Sequence, residues 1–106
     1  MKRAIGELGL DKLIHERARL MILTYLASSS EAETGFTELR DGLGFTAGNL
    51  STQLRVLEEG GLVDIGKSFR SNKPYTGVRL TPRGKRALED YLAELEVIVA
   101  SLKATR

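Results

Sequence analysis

Cysteine is absent from this chain. Disulfides, thiolate metal sites and cysteine nucleophiles are therefore excluded. The absence agrees with a reducing cytoplasm, which is the expected location. Long apolar runs are missing too: none approaches the ~18–20 residues that span a bilayer, and no membrane partner is expected. The basic start, MKRAIGELGLDKLIHERAR, is soon interrupted by charges. No apolar h-region follows it, so it does not read as a signal peptide. Histidine occurs once, as His15, where a helix with an apolar stripe begins. Packing or capping explains it better than general-base chemistry. Glu94 and Glu96 stand two apart, point to different helix faces and cannot act as an acid pair. No glycine-rich phosphate loop follows a strand, since Gly42-Leu43-Gly44 falls in a turn. Glu31 and Glu33 with His15 form one metal-competent set, with no spacing that singles it out. The expectation is a protein that is not an enzyme and uses no cofactor or metal.

What is there suits one domain over residues 1–106, with 42% hydrophobic residues, enough for an ordinary core. Internal repeats and low-complexity linkers are lacking. Net charge is only +2, but it is unevenly spread. From Lys67 to Arg86 there are seven basic residues and no acid. From Glu31 to Gly60 there are six acids against two bases. A basic segment inside a nearly neutral domain is a local electrostatic footprint.

The hydrophobic periods place the elements. Leu13, Ile14, Ala18, Met21, Ile22, Tyr25 and Leu26 recur at three- and four-residue steps, which predicts a helix over 11–28. Asp11 is its expected N-cap, and His15-Glu16-Arg17 is a candidate second start. Phe36 suggests a very short strand. Thr37 is expected to cap a helix over 38–43 that Gly44 ends. Thr46 then caps a helix to about Glu59, stopped by Gly60 and Gly61. Leu62, Val63 and Ile65 alternate as a strand, and Val78 and Leu80 do so on the return. Between them lies a basic loop with no acid near its tip. Thr81-Pro82 starts a last helix to about Leu102. The fold class is mainly α with a small β-hairpin, in the order α-α-α-β-β-α, with a short extra strand near Phe36.

The helix over 46–59 points to function. Leu50, Leu54 and Leu57 share one face. Thr46, Gly48, Asn49, Ser51, Thr52 and Arg55 fall to its sides, its N-terminus or the opposite face. Asparagine can bond adenine in a bidentate way, serine and threonine can bond bases or phosphates, and arginine can grip guanine or phosphate. Gly48 gives up roughly 1 kcal/mol of helix propensity relative to alanine; close approach of its backbone to a surface is one explanation, and an ordinary first-turn position, where the cost is smaller, is the other. The hairpin adds Lys67, Arg70, Ser71, Asn72, Lys73 and Thr76, all able to contact phosphate. Phe69 is expected to cover the hairpin root or to pack on the last helix, with contact to DNA as the least favoured alternative. Together these features predict double-stranded DNA as partner, with a helix in the major groove and a hairpin on the backbone or the adjacent minor groove.

The segment FTELRDGLGFTAGNLSTQLRVLEEGGLVDIGK, followed by KPYTGVRLTPRGKRALEDYL, resembles compact MarR/ArsR-type winged helix-turn-helix regulators. The carriers are the L-x-x-L-E-x-x-G-L-V run from Leu54 to Val63, Lys67, Pro74 and Thr76 in the wing, and the LT-x-x-G start at Leu80, Thr81 and Gly84. The resemblance covers 8–102. It implies a transcriptional regulator that works as a homodimer on two half-sites. The chain departs from that pattern in two ways. It lacks the cysteines of ArsR-type metal sensors. It also lacks the longer terminal helices that build a small-molecule pocket in larger MarR proteins, so no effector is assigned.

Leu88, Leu92, Leu95, Val99 and Leu102 step by four, three, four, three, with Tyr91 and Ile98 beside them. This heptad-like seam can bury part of itself against the first helix. The rest is expected to meet a second copy, so 82–103 is assigned to dimerisation. Ile5, Leu8 and Leu10 are candidates for a docked or swapped arm. A two-fold dimer places two recognition helices ~34 Å apart and favours a palindromic operator. Repression by occlusion is the simplest action. The rivals are a winged-helix protein–protein module without DNA, which calls for an apolar recognition face, and RNA binding, which calls for more exposed aromatics than Phe69 and Tyr75.

Overall fold

The computed structural model describes residues 10–104. The expected arm residues Ile5 and Leu8 lie outside that range, whereas Leu10 packs against the core. Asp11 caps α1 (Lys12–His15), its carboxylate accepting from the Leu13 N–H at 2.8 Å. The helical stretch expected over 11–28 is two helices, divided at the candidate second start His15-Glu16-Arg17. Glu16 is extended (φ −74°, ψ 132°), and its carboxylate accepts from the N–H groups of Ala18 and Arg19. Those two bonds satisfy donors that a helix start leaves open, so α2 (Arg17–Ser28) begins afresh there. It buries Ala18, Ile22, Leu23 and Leu26. Leu23 lies outside the stripe read from the sequence. It is fully buried because α2 packs against other elements on more than one side.

The extra strand is β1 (Thr34–Gly35), just before Phe36 rather than at it. It pairs with the hairpin return through Thr34↔Val78 and Gly35↔Gly77. α3 (Phe36–Leu43) follows at once with Gly35 as N-cap. Thr37 is therefore inside the helix and not its cap, because the strand pairing fixes an extended Gly35 immediately before it. Gly44 ends α3 in the left-handed conformation (φ 71°), as its position predicts. Thr46 caps α4 (Ala47–Glu59), its hydroxyl accepting from the Asn49 N–H at 3.1 Å. Leu50, Leu54 and Leu57 of α4 are buried as expected.

β2 (Val63–Arg70) and β3 (Lys73–Leu80) are longer than their apolar alternation suggests. Their ladder runs from Val63↔Leu80 out to Arg70↔Lys73. Only Ser71 and Asn72 remain as a turn, both at positive φ (52° and 64°). Such a two-residue turn matches the twist of paired strands. The expected basic loop is thus a paired ribbon. Pro74 is tolerated in it because β1 ends short of that level, and β3 there has one neighbour.

α5 (Pro82–Ala104) starts where the LT-x-x-G pattern predicts. The Thr81 hydroxyl accepts from the Gly84 N–H at 2.9 Å and donates to the Gly61 carbonyl at 2.7 Å. A Cβ on Gly84 overlaps the Leu62 carbonyl. The motif therefore locks the last helix onto the α4–β2 turn. The core joins Ile14, Ile22, Leu23, Leu39, Leu50, Leu54, Leu57, Val63, Val78, Leu88 and Tyr91. It lies between the helices and the β1-β3-β2 sheet. The molecule is 58 Å long and 24 Å across.

Candidate nucleic-acid interface

Thr46, Gly48, Asn49, Ser51, Thr52 and Arg55 are all exposed. They are bare because the leucines of α4 face the core and the opposite side meets nothing. Gln53 is the exception on this helix. It is half-buried and accepts from Arg19 at 3.0 Å, which ties α4 to α2. Arg55 forms no ion pair among the described residues. A Cβ on Gly48 meets nothing within 4 Å, so nothing inside the fold requires glycine there.

Strand alternation sorts the hairpin residues onto two faces. Val63, Ile65, Lys67 and Phe69 share one face with their partners Leu80, Val78, Thr76 and Pro74. This face looks toward α4: Lys67, Ile65 and Thr76 line one cleft together with Ser51, Leu54 and Arg55. The structure thus brings the α4 side chains and two of the hairpin residues to one edge.

The other face carries Asp64, Ser68, Arg70, Lys73, Tyr75 and Arg79. Here the sequence reading needs correction. The hairpin is not free of acid, because Glu33 reaches it from the segment before β1. Its carboxylate accepts from Arg70 at 2.7 Å and from Arg79 at 3.4 Å. The Arg70 guanidinium also lies 3.8 Å from the centroid of the Tyr75 ring. Glu33 can cross β3 only over Gly77, where a Cβ collides with its carboxylate. The acid is 37 residues away in sequence, and only the β1–β3 pairing brings it near. Arg70 is consequently paired within the fold to a protein acid. Glu33 is thus engaged with two arginines rather than gathered with Glu31 and His15, and no group of three such ligand residues occurs among the described residues. His15 instead places Nδ1 2.7 Å from the Tyr91 hydroxyl, which ties α1 to α5.

Phe69 also departs from expectation. It covers neither the hairpin root nor α5, and 74% of it is exposed. The long ladder carries it away from the body of the domain.

The α5 seam divides in two. Leu88 and Tyr91, expected at a dimer contact, are each only 4% exposed and belong to the chain's own core. They lie where α5 crosses α1 and α2. Beyond them the helix leaves the core by degrees, Leu95 still packing against it. Leu92, Val99 and Leu102 are exposed there, while Leu95 and Ile98 are half-buried. One titrating group is clearly perturbed. Burial, and then the neighbouring Glu38 carboxylate, raise the Tyr25 hydroxyl above its ordinary 10.0. This tyrosine packs between α2 and α3, away from the exposed face of α4.

No helix among the described residues is long and apolar enough to cross a membrane. An uncharacterized protein of Methanocaldococcus jannaschii is 32% identical over 84 residues, which are 79% of this chain and 89% of that protein. The solved structure of a transcriptional regulator homologue from Pyrococcus horikoshii OT3 superposes with a TM-score of 0.80 at 28% identity, over 92% of each chain. A MarR-family protein from Enterococcus faecalis V583 gives 0.67 at 30% identity, over 89% of this chain and 84% of that one. The winged helix DNA-binding domain family matches residues 18–99. With its bare α4 face and its paired wing, the chain belongs to that family and is a DNA-binding transcription regulator rather than an enzyme.

Proposed function

We propose that the protein is a cytoplasmic homodimer that represses transcription by occupying a palindromic operator. One observation carries the reading. The polar residues of α4 from Thr46 to Arg55, Gln53 apart, are exposed, and this face opens through Ser51 and Arg55 onto the cleft it shares with Lys67 and Thr76. A major groove about 12 Å wide admits such a helix. Asn49, Ser51, Thr52 and Arg55 then meet base edges. The first turn of the helix, with Thr46 and Gly48, lies closest to the DNA. Lys67 and Thr76 sit over the phosphates bordering that groove, and Ser71, Asn72 and Lys73 at the wing tip follow the backbone beyond it. Arg70 joins them from the outer wing face when phosphate competes with Glu33.

The dimer contact is assigned to the outer half of α5. Leu92 and Val99 form an apolar stripe with Leu95, flanked by Ile98 and Leu102. An apolar stripe left partly exposed on the outer half of this helix suits an isologous contact with a second copy. That contact sets two α4 helices ~34 Å apart, one turn of DNA. Occlusion of the promoter then needs binding alone.

Selection of duplexes from a random pool tests the reading. The expected result is an inverted repeat with half-sites one turn apart. On the selected duplex, Arg55→Ala is expected to weaken binding and relax preference at one position. Lys73→Ala is expected to weaken all duplexes alike and lower the salt slope by about one. Replacing Leu92 and Val99 by Glu is expected to give monomers in sizing chromatography with the domain still folded. An asymmetric selected site, or an undisturbed dimer, overturns the two-fold arrangement.

A further inference from the structure

We propose that Phe69 is a DNA-contacting residue, its ring entering the minor groove beside the major groove read by α4 and packing on the deoxyribose walls. This rests on the DNA-binding reading above. Exposure alone decides little, since single bare apolar side chains are common. Position, rigidity and charge together decide more.

Position comes from the register. Phe69 lies on the same ribbon face as Ile65 and Lys67, which border the cleft with Ser51 and Arg55. The ring therefore leaves the wing on the α4 side, two residues or about 7 Å beyond Lys67. With α4 in a major groove, that offset reaches past one phosphate backbone. Arg70 is drawn to the opposite face by Glu33 and Tyr75. Phe69 is thus the outermost large side chain on the DNA side of the wing.

Rigidity comes from the ladder. Phe69 is paired with Pro74, one rung before the last pair Arg70↔Lys73 and the two-residue turn. The backbone at Phe69 has little freedom left to lose, so contact by its ring carries a small ordering cost. Charge then selects the partner. Lys67 shares the face of the ring, two residues before it, and Lys73 and Arg70 lie on the opposite face of the same wing tip, Arg70 paired there with Glu33. A second copy of this chain must bring those cations together to cover the ring, which opposes that contact. A polyanion with apolar sugar walls suits the cations and the ring at once, and apolar side chains do enter minor grooves in this manner.

The test uses a duplex that the unmodified protein selects from a random pool, with anisotropy followed over a range of salt. Phe69→Ala is expected to bind about tenfold more weakly, as burial of an aromatic ring predicts. Its salt slope should be unchanged, because no phosphate contact is lost. Lys67→Ala should instead lower the slope by about one. Phe69→Leu should bind within about threefold of the parent. Thermal melting of Phe69→Ala should fall little below the parent, because the ring meets only its neighbours on the wing and none of the core. Changing A·T pairs under the wing to G·C adds an amino group to the minor-groove floor. That change should weaken the parent and leave Phe69→Ala indifferent. Equal binding by Phe69→Ala and the parent overturns the proposal, as does a Phe69→Ala protein of altered mass in sizing chromatography. Failure of the parent to select any duplex overturns the DNA-binding reading instead.

Discussion

Gly48→Ala separates folding from binding because the two effects have opposite signs. Gly48 is the second residue of α4, and an added Cβ meets nothing within 4 Å. In a helix interior the change to alanine is worth about 1 kcal/mol. In the first turn, where fewer helical hydrogen bonds constrain the backbone, about half of that is expected. For a domain of this size 0.5 kcal/mol corresponds to a melting temperature higher by about 2–4 °C. Against DNA the same methyl occupies space that the backbone needs for close approach. Overfilling a packed contact costs about 1–3 kcal/mol, a loss of roughly five- to 150-fold in affinity. Melting by circular dichroism and anisotropy on the selected duplex measure the two effects on one protein. Gly66→Ala is the control: its added Cβ is also unobstructed, but residue 66 lies on the wing face turned away from α4. It should leave binding unchanged. A Gly48→Ala protein that melts higher and binds as tightly as its parent refutes close approach at residue 48. A lower melting temperature refutes the open surroundings assigned to it.

Gly84→Ala should destabilise the domain by about 2–3 kcal/mol in urea titration, because its Cβ overlaps the backbone carbonyl of Leu62, which cannot move aside like a side chain. A near-neutral result removes the locking role of the LT-x-x-G start. Glu33→Gln should cost under about 1 kcal/mol, since Arg70 and Arg79 are largely solvent-exposed and water screens such pairs. A double-mutant cycle with Arg70→Ala reports their coupling, and a coupling well above that range shows the cluster to be more desolvated than its exposure indicates. The Tyr25 hydroxyl is raised above 10.0 in the fold, so its protonated form is favoured there. Its contribution is complete below the unfolded value and is lost as pH rises through the folded one. Alkaline denaturation above pH 10 should therefore be less steep in Tyr25→Phe, and identical curves contradict the assignment.

The sequence by itself determined where most helices lie, the caps at Asp11, Thr46 and Thr81, and the face of α4, but it misplaced the cap of α3 at Thr37. Those features are local: Leu50, Leu54 and Leu57 set a 3.6-residue stripe, Thr46 and Thr81 cap the turns that follow them, and glycines end α3 and α4. The break at Glu16 is local too, since its side chain bonds N–H groups two and three residues on, and it falls at the second start that His15-Glu16-Arg17 offered, although hydrophobic period alone does not register it. Whatever depended on distant partners was decided by tertiary structure. Glu33 reaches Arg70 only because β1 joins β3. The seam of α5 reads as one stripe in sequence. The fold consumes Leu88 and Tyr91 in the core and leaves Leu92 and Val99 bare, because the body of the domain ends partway along a 23-residue helix. Periodicity tells which side chains share a face, and packing alone tells how far along that face the neighbour extends.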